Sequence, residues 1–311
     1  MSHWVTVLPQ GLRVEAADGQ TLLSVLQAAG IPVDAPCGGD GRCGKCRVDV
    51  DGTTVLACQT AVDRDMTVTV PQQTGQQILS MGSAALQTAD HADHSLVFDV
   101  GTTTVVGYLL RGGKELACAS ASNPQAAFGA DVMTRIRLAV QGQQSLLTDR
   151  ICACLESLTE KLCRQAGISP ADIRHVCAVG NPAMQQLLLG ISVENLAKVP
   201  FAPVLTQGKA VPAKQILPLW EAAEFLIVPN IAGFVGSDTV ACVLATAMDS
   251  RETMTLLVDI GTNAEMVLGN CHTMVACSAA AGPALEGAGI RFGMRGQAGA
   301  IDHVWLQDGQ L

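Results

Sequence analysis

Four cysteines, Cys37, Cys43, Cys46 and Cys58, stand in a C-x5-C-x2-C-x11-C run that constrains the fold more than any other feature of the chain. Glycines at 38, 39, 41 and 44 break the run, so the backbone can curl and turn its N–H groups inward. Four thiolates are the ligand set a [2Fe-2S] cluster needs, and inward N–H groups suit its anionic sulfides. The spacing therefore predicts a metal loop that carries an electron. Zinc is the first alternative, but its sites usually use two C-x2-C knuckles and only Cys43 and Cys46 form one. A disulfide framework is the second, and it needs an oxidising compartment. The opening Met1-Ser-His-Trp-Val-Thr has neither the basic start nor the apolar core of a secretory signal.

The other eight cysteines, at 118, 152, 154, 163, 177, 242, 271 and 277, show no second ligand spacing and read as reduced thiols. At 311 residues the chain has room for two domains. With 49% hydrophobic residues and 15% charged ones it describes a folded protein. A net charge of −9 argues against a nucleic-acid partner, which basic patches would have to bind. No apolar run reaches membrane-spanning length, so the expectation is a cytoplasmic protein without a membrane partner.

Residues 1–70 read as a small α+β domain. Val5–Leu8 and Leu12–Glu15 alternate around Pro9-Gln-Gly11 as a hairpin does, and Thr21 is placed to cap a helix from Leu22 to Ala29. Short strands are expected at 46–50, 54–57 and 66–70. This outline and its cysteines resemble the β-grasp ferredoxin-like domain, with spacing closer to the adrenodoxin type than the plant type. The fourth cysteine comes early for either type.

Residues 71–94, rich in Gln, Ala, Ser and Thr, read as a flexible linker. Two dozen such residues have a root-mean-square reach of about 25 to 30 Å, enough for a cluster domain to visit two positions. His91 and His94 there lack further ligands and read as solvated. From Ser95 strands alternate with helices, which predicts an α/β layer. Strands are expected at 95–100, 105–110 and 173–179, and helices near 128–141, 145–166 and 182–189.

One pattern occurs twice in this half. Val97-Phe-Asp99-Val-Gly101-Thr102-Thr103 is echoed by Val258-Asp259-Ile-Gly261-Thr262-Asn263, each at the end of an apolar strand and about 160 residues apart. An Asp there can hold Mg2+ through water, while the glycine and hydroxyls admit phosphate oxygens. Two such turns suggest a duplicated fold gripping one nucleotide from both sides.

These residues resemble the ASKHA superfamily of acetate and sugar kinases, heat-shock ATPases and actin, with its ribonuclease-H-like fold. The resemblance implies a first half at 95–254 and the start of a second at 255–311. It makes Asp99, Gly101, Thr102, Thr103, Asp259, Gly261, Thr262 and Asn263 the residues that hold ATP and Mg2+. The helix from Ser237, entered through Pro229-Asn-Ile-Ala-Gly-Phe-Val-Gly236, resembles the connecting segment before the second loop. On it Asp238 is the candidate to orient an attacking water, with an ordinary first-turn helix acid as the alternative.

A ferredoxin-type domain joined to an ASKHA ATPase is similar to the reductive activators of corrinoid proteins. Asn123-Pro-Gln-Ala-Ala-Phe-Gly-Ala-Asp131, Val179-Gly-Asn-Pro-Ala-Met184 and Ala279-Ala-Ala-Gly-Pro-Ala-Leu-Glu-Gly287 extend that likeness. It implies ATP-dependent transfer of an electron from the cluster to the Co(II) corrinoid of a methyltransferase partner. The chain ends at Leu311, before the glycine-rich adenosine segment of such activators. The resemblance therefore implies a fragment with weak ATP binding and an uncovered second sheet open to self-association. A ferredoxin-type carrier or reductase subunit is the rival reading, but no G-x-G-x-x-G follows a strand. A sugar or acid kinase fits least, and six scattered histidines include no hydrolase triad.

Overall fold

The computed structural model describes residues 2–71, except 32, 34, 36, 37, 42 and 43, and residues 93–281. Cys37, Cys43, most of the expected linker, and 282–311 lie outside the described residues.

The amino-terminal hairpin forms as its alternation dictates, with β1 (Ser2–Leu8) antiparallel to β2 (Leu12–Ala17). Thr21 caps α1 (Leu22–Ala28), its hydroxyl accepting from Ser24 N at 3.4 Å. Strands β3 (Arg47–Val50), β4 (Thr53–Leu56) and β5 (Met66–Thr69) complete a five-stranded sheet ordered β2-β1-β5-β3-β4, in which β1 and β5 run parallel. A parallel central pair crossed by one helix is the β-grasp arrangement the sequence implied. Leu22, Leu23, Val25 and Leu26 of α1 are buried in one core with Val5, Val7, Val48 and Val68 of the sheet.

The second sheet joins six strands in the order β10-β11-β9-β6-β7-β8. These are β6 (His94–Val100), β7 (Thr104–Arg111), β8 (Lys114–Ser122), β9 (Ile173–Val179), β10 (Lys209–Pro212) and β11 (Glu224–Ile227). The first three form an antiparallel meander, and β9 and then β11 add parallel to β6, as in a ribonuclease-H-like layer. Strand β6 begins at His94, one residue before the expected strand and inside the expected linker, because His94 pairs with Arg111.

Helix α2 (Val132–Leu138) starts where the Asp131 side chain accepts from Thr134 N at 2.8 Å, so the expected helix from 128 is shorter. Gly142, at φ +94°, separates it from α3 (Gln144–Ala166), the long helix that packs across β7 and β8. Phe98, Trp220 and Phe225 centre the core, and the buried Trp220 indole N–H donates to Thr159 Oγ1 at 3.2 Å. After α4 (Pro182–Leu188) and α5 (Ser237–Ala245), a third sheet opens with β12 (Thr255–Ile260), β13 (Asn263–Gly269) and β14 (Met274–Ala280). It repeats the antiparallel meander of β6–β8. One face of β12, with Leu256, Val258 and Ile260, is exposed among the described residues.

The two larger units touch. Gln27 Nε2 donates to the Ala127 carbonyl at 3.0 Å, and Arg137 pairs with Asp40 at 3.5 Å. Among the described residues no helix is long and apolar enough to cross a membrane.

Candidate functional site

The glycines between and beside the cluster cysteines take conformations that permit a tight curl. Gly38, Gly39, Gly41 and Gly44 all have positive φ, from +65° to +97°, a region that side chains other than glycine's rarely occupy. Cys46 and Cys58 are buried, and their sulfurs approach to 3.2 Å. A disulfide would bring them to about 2.05 Å, so no disulfide joins these two and their sulfurs lie side by side. Gln59 Nε2 directs a hydrogen bond at Cys58 Sγ, 3.8 Å away. Adjacent buried sulfurs, one already receiving an N–H donor, suit two ligands of an iron-sulfur cluster.

The cleft between the second and third sheets is built from the duplicated strand ends. Asp99 is the penultimate residue of β6, and Asp259 is the penultimate residue of β12. The two turns that follow meet: Thr103 Oγ1 and Thr262 Oγ1 are 3.1 Å apart although 159 residues separate them. Gly101 is needed for this turn, since a Cβ there would come within 2.8 Å of the Thr104 carbonyl. Gly261 N is taken up by the Asn263 carbonyl at 2.8 Å, which tightens the second turn. Asn263 opens β13 at the mouth of the cleft.

Thr102 is placed differently from its neighbour. It is 7% exposed, its hydroxyl accepts from Asn181 Nδ2 at 3.2 Å, and its carbonyl accepts from the guanidinium of Arg135. It lies beneath the first loop, while Thr103 reaches the second.

Carboxylates converge on this cleft. Burial, then the charges of Asp238 and Asp259, push the Asp99 carboxyl up from 3.8 to about 6. The residue is nonetheless exposed at its surface. Among the described residues no hydrogen bond or ion pair meets it. Asp238 is also raised, mainly by burial, against the lowering effect of the Thr239 N–H it accepts at 2.7 Å.

A fourth acid, Glu265, was not among the expected residues. It lies directly across from Asp259 in the β12–β13 register, is 8% exposed, and accepts from Ser278 Oγ at 2.8 Å. Burial raises it too, with Asp238 and Asp259 adding to the effect. The signal was present in the sequence: a second acid six residues after Asp259 faces it on the same hairpin when the turn spans the three residues Gly261-Thr262-Asn263, so that Ile260 pairs with Ala264.

The remaining motifs frame the loops. Asn123 Nδ2 donates to the Gly101 carbonyl at 2.7 Å, and its Oδ1 caps the turn at Pro124–Ala127 by accepting from Gln125 N. Asn181 caps α4 through Met184 N at 3.1 Å while holding Thr102. Arg135 is fully buried and also donates to the Gly129 carbonyl at 2.8 Å and to Gln125 Oε1 at 3.2 Å. In the connecting segment, Asn230 Oδ1 accepts from Ser237 N at 3.1 Å, and Ser237 Oγ donates to the Gly180 carbonyl at 3.0 Å. These bonds seat the start of α5, and with it Asp238, against the end of β9.

Comparison with known proteins covers nearly the whole chain. Residues 5–76 match the 2Fe-2S iron-sulfur cluster binding domain, residues 94–251 the RACo middle region, and residues 253–311 the C-terminal, ASKHA, domain of RACo. The corrinoid activation enzyme RamQ of Eubacterium limosum is 30% identical, and the alignment covers 96% of this chain and 64% of that protein. The reductase of the Co(II) methylated amine-specific corrinoid protein of Methanosarcina barkeri is 27% identical over 57% of this chain and 34% of its own length. A solved reductive activator for corrinoid, iron-sulfur protein superposes with a TM-score of 0.64 at 26% identity, covering 99% of this chain and 68% of that one. The chain thus spans about two thirds of the length of RamQ and of the solved activator, and its match to the Methanosarcina barkeri reductase spans about one third of that protein.

Proposed function

The chain belongs to the RACo family, and on that premise we propose that it serves an ATP-dependent reductive activator, which returns the Co(II) corrinoid of a methyltransferase partner to Co(I). The observation that carries this reading is the contact of the two acidic loops through Thr103 and Thr262 at 3.1 Å. A ferredoxin-type carrier would have no use for a pair of acidic strand ends closing on one cleft.

Cys37, Cys43, Cys46 and Cys58 hold the cluster in this reading. When bound, it supplies a one-electron store at low potential. The left-handed glycines let the loop turn tightly, and Gln59 adds a donor to Cys58. In the cleft, Asp99 and Asp259 would hold Mg2+, and Gly101, Thr103, Gly261, Thr262 and Asn263 would hold the phosphates. Thr102 supports the loop from below. Asp238 and Glu265 are the acids available to orient water, since both are desolvated and close enough to Asp259 to feel its charge.

Donation of an electron to low-potential cobalt is uphill, so the nucleotide has to change an equilibrium. A clamp whose two halves touch when closed binds nucleotide best in the closed state, and occupancy shifts the population toward it. The test uses a chain of the full family length with a Co(II) corrinoid protein and a reductant, following the Co(I) absorption band. Growth of that band only with Mg-ATP supports the reading. Equal growth without nucleotide returns the protein to the electron-carrier class.

A further inference from the structure

Away from the cleft, three side chains of metal-ligating type meet at one turn. Glu252 precedes β12, while Cys271 and His272 lie in the turn between β13 and β14. One donor atom from each lies within 4.8 Å of the other two, and His272 Nε2 is 3.1 Å from Glu252 Oε2. Backbone bonds fix this turn independently of the three side chains. Asn270 Oδ1 accepts from His272 N at 3.0 Å and Thr273 N at 3.2 Å. Its Nδ2 donates to the Glu252 carbonyl at 3.1 Å, and Cys271 N donates to the Arg251 carbonyl at 2.8 Å. Two stretches of chain are therefore locked together where their ligand atoms converge. Cys271 is half-buried, while the His272 and Glu252 side chains are 69% and 82% exposed, so a cation has a path in.

We propose that Glu252, Cys271 and His272 form a binding site for a borderline divalent cation of the zinc class, with the fourth position left to water. A thiolate beside an imidazole selects against Mg2+ and Ca2+, which prefer all-oxygen shells. Thiolate and carboxylate together neutralise a dication. On binding, the thiol proton passes to solvent and the sulfur bonds to the ion as an anion, with no change of oxidation state. The half-buried Cys152, Cys154 and Cys177 join no such group among the described residues. The site would tie the lead into β12 to the β13–β14 turn. That is the end of the hairpin opposite Thr262, so the cation would brace the strands that carry the second acidic loop. These three residues belong to neither the cluster loop nor the nucleotide cleft.

The test uses the anaerobically prepared chain with its cluster in place, titrated with Zn2+ against a chromophoric chelator. Cys271→Ser, His272→Gln and Glu252→Gln are compared with wild type. Wild type should hold one zinc equivalent more tightly than each variant by at least roughly tenfold, since even partners outside the ligand shell cost that much. With free Co2+ as the probe, a thiolate charge-transfer band should appear in wild type and vanish in Cys271→Ser. Identical zinc affinities in wild type and all three variants overturn the proposal, as does a cobalt band that survives in Cys271→Ser. If Cys271→Ser folds poorly, the exposed Glu252→Gln decides alone.

Discussion

Replacing Asp99 by asparagine tests whether its carboxylate is held ready for a cation or serves the fold. Folded, the group ionises near 6 against 3.8, because burial and two neighbouring acids oppose its charge. That displacement corresponds to roughly 3 kcal/mol of unfavourable charge at neutral pH. Because Asp99 is an exposed residue, screening by solvent reduces the figure to about 1 kcal/mol. The sign follows from proton binding. As pH rises from 3.8 toward 6, the unfolded chain gives up its proton first, so stability falls, and the cost is fully present above the folded value. Asp99→Asn should therefore melt about 2 to 4 °C above wild type at pH 7, in a unit of this size. The gap should close as pH falls toward 4. Thermal unfolding followed by circular dichroism, without nucleotide, reads it. Adding Mg-ATP should raise the wild-type transition more than that of the variant. An asparagine variant that is less stable at pH 7, or a gap that does not change with pH, would refute the argument by showing that the carboxylate makes structural hydrogen bonds.

Arg135→Met leaves the Thr102 and Gly129 carbonyls without their buried donor and should cost about 3 kcal/mol in chemical denaturation. A loss below 1 kcal/mol would contradict the role given to Arg135 under the first loop. A double-mutant cycle of Thr103→Val and Thr262→Val should show a coupling of about 0.5 to 1.5 kcal/mol. Simple additivity would mean that the loops do not touch in solution. Gly236→Ala would place a Cβ 2.4 Å from the Gly180 carbonyl. Overpacking of this kind costs about 1 to 3 kcal/mol, so an unchanged unfolding midpoint would argue against the close seating of α5.

The strands and helices with strong local signals were legible in the chain. Thr21 and Asn181 announce helix starts because their side chains accept the N–H three residues on. Asp99 and Asp259 could be read because each ends an apolar strand before glycine and hydroxyls, twice. Strand β8 was not read. Its Lys114-Glu-Leu-Ala-Cys-Ala-Ser-Ala-Ser is made largely of small residues with little strand preference, and it exists because β7 offers it an edge. The turn into it was a usable clue, since Gly112 and Gly113 both take positive φ. Strands β10 and β11 are four residues each, too short for a period to show. Arg135 escaped because nothing local distinguishes a buried arginine from a solvated one. Its partners, Thr102, Gln125, Gly129 and Met184, come together only in the fold. The contact of Gln27 and Asp40 with Ala127 and Arg137 across the two units has no local signal at all.

In the proposed function one polypeptide combines a sulfur-liganded iron pair with a paired acidic clamp. Iron and acid-labile sulfide measured together on anaerobically isolated protein test it most directly. About two of each per chain are expected, as a [2Fe-2S] cluster requires, with near-complete loss of both in Cys46→Ser and Cys58→Ser. Zinc in place of iron, with no labile sulfide, would contradict it.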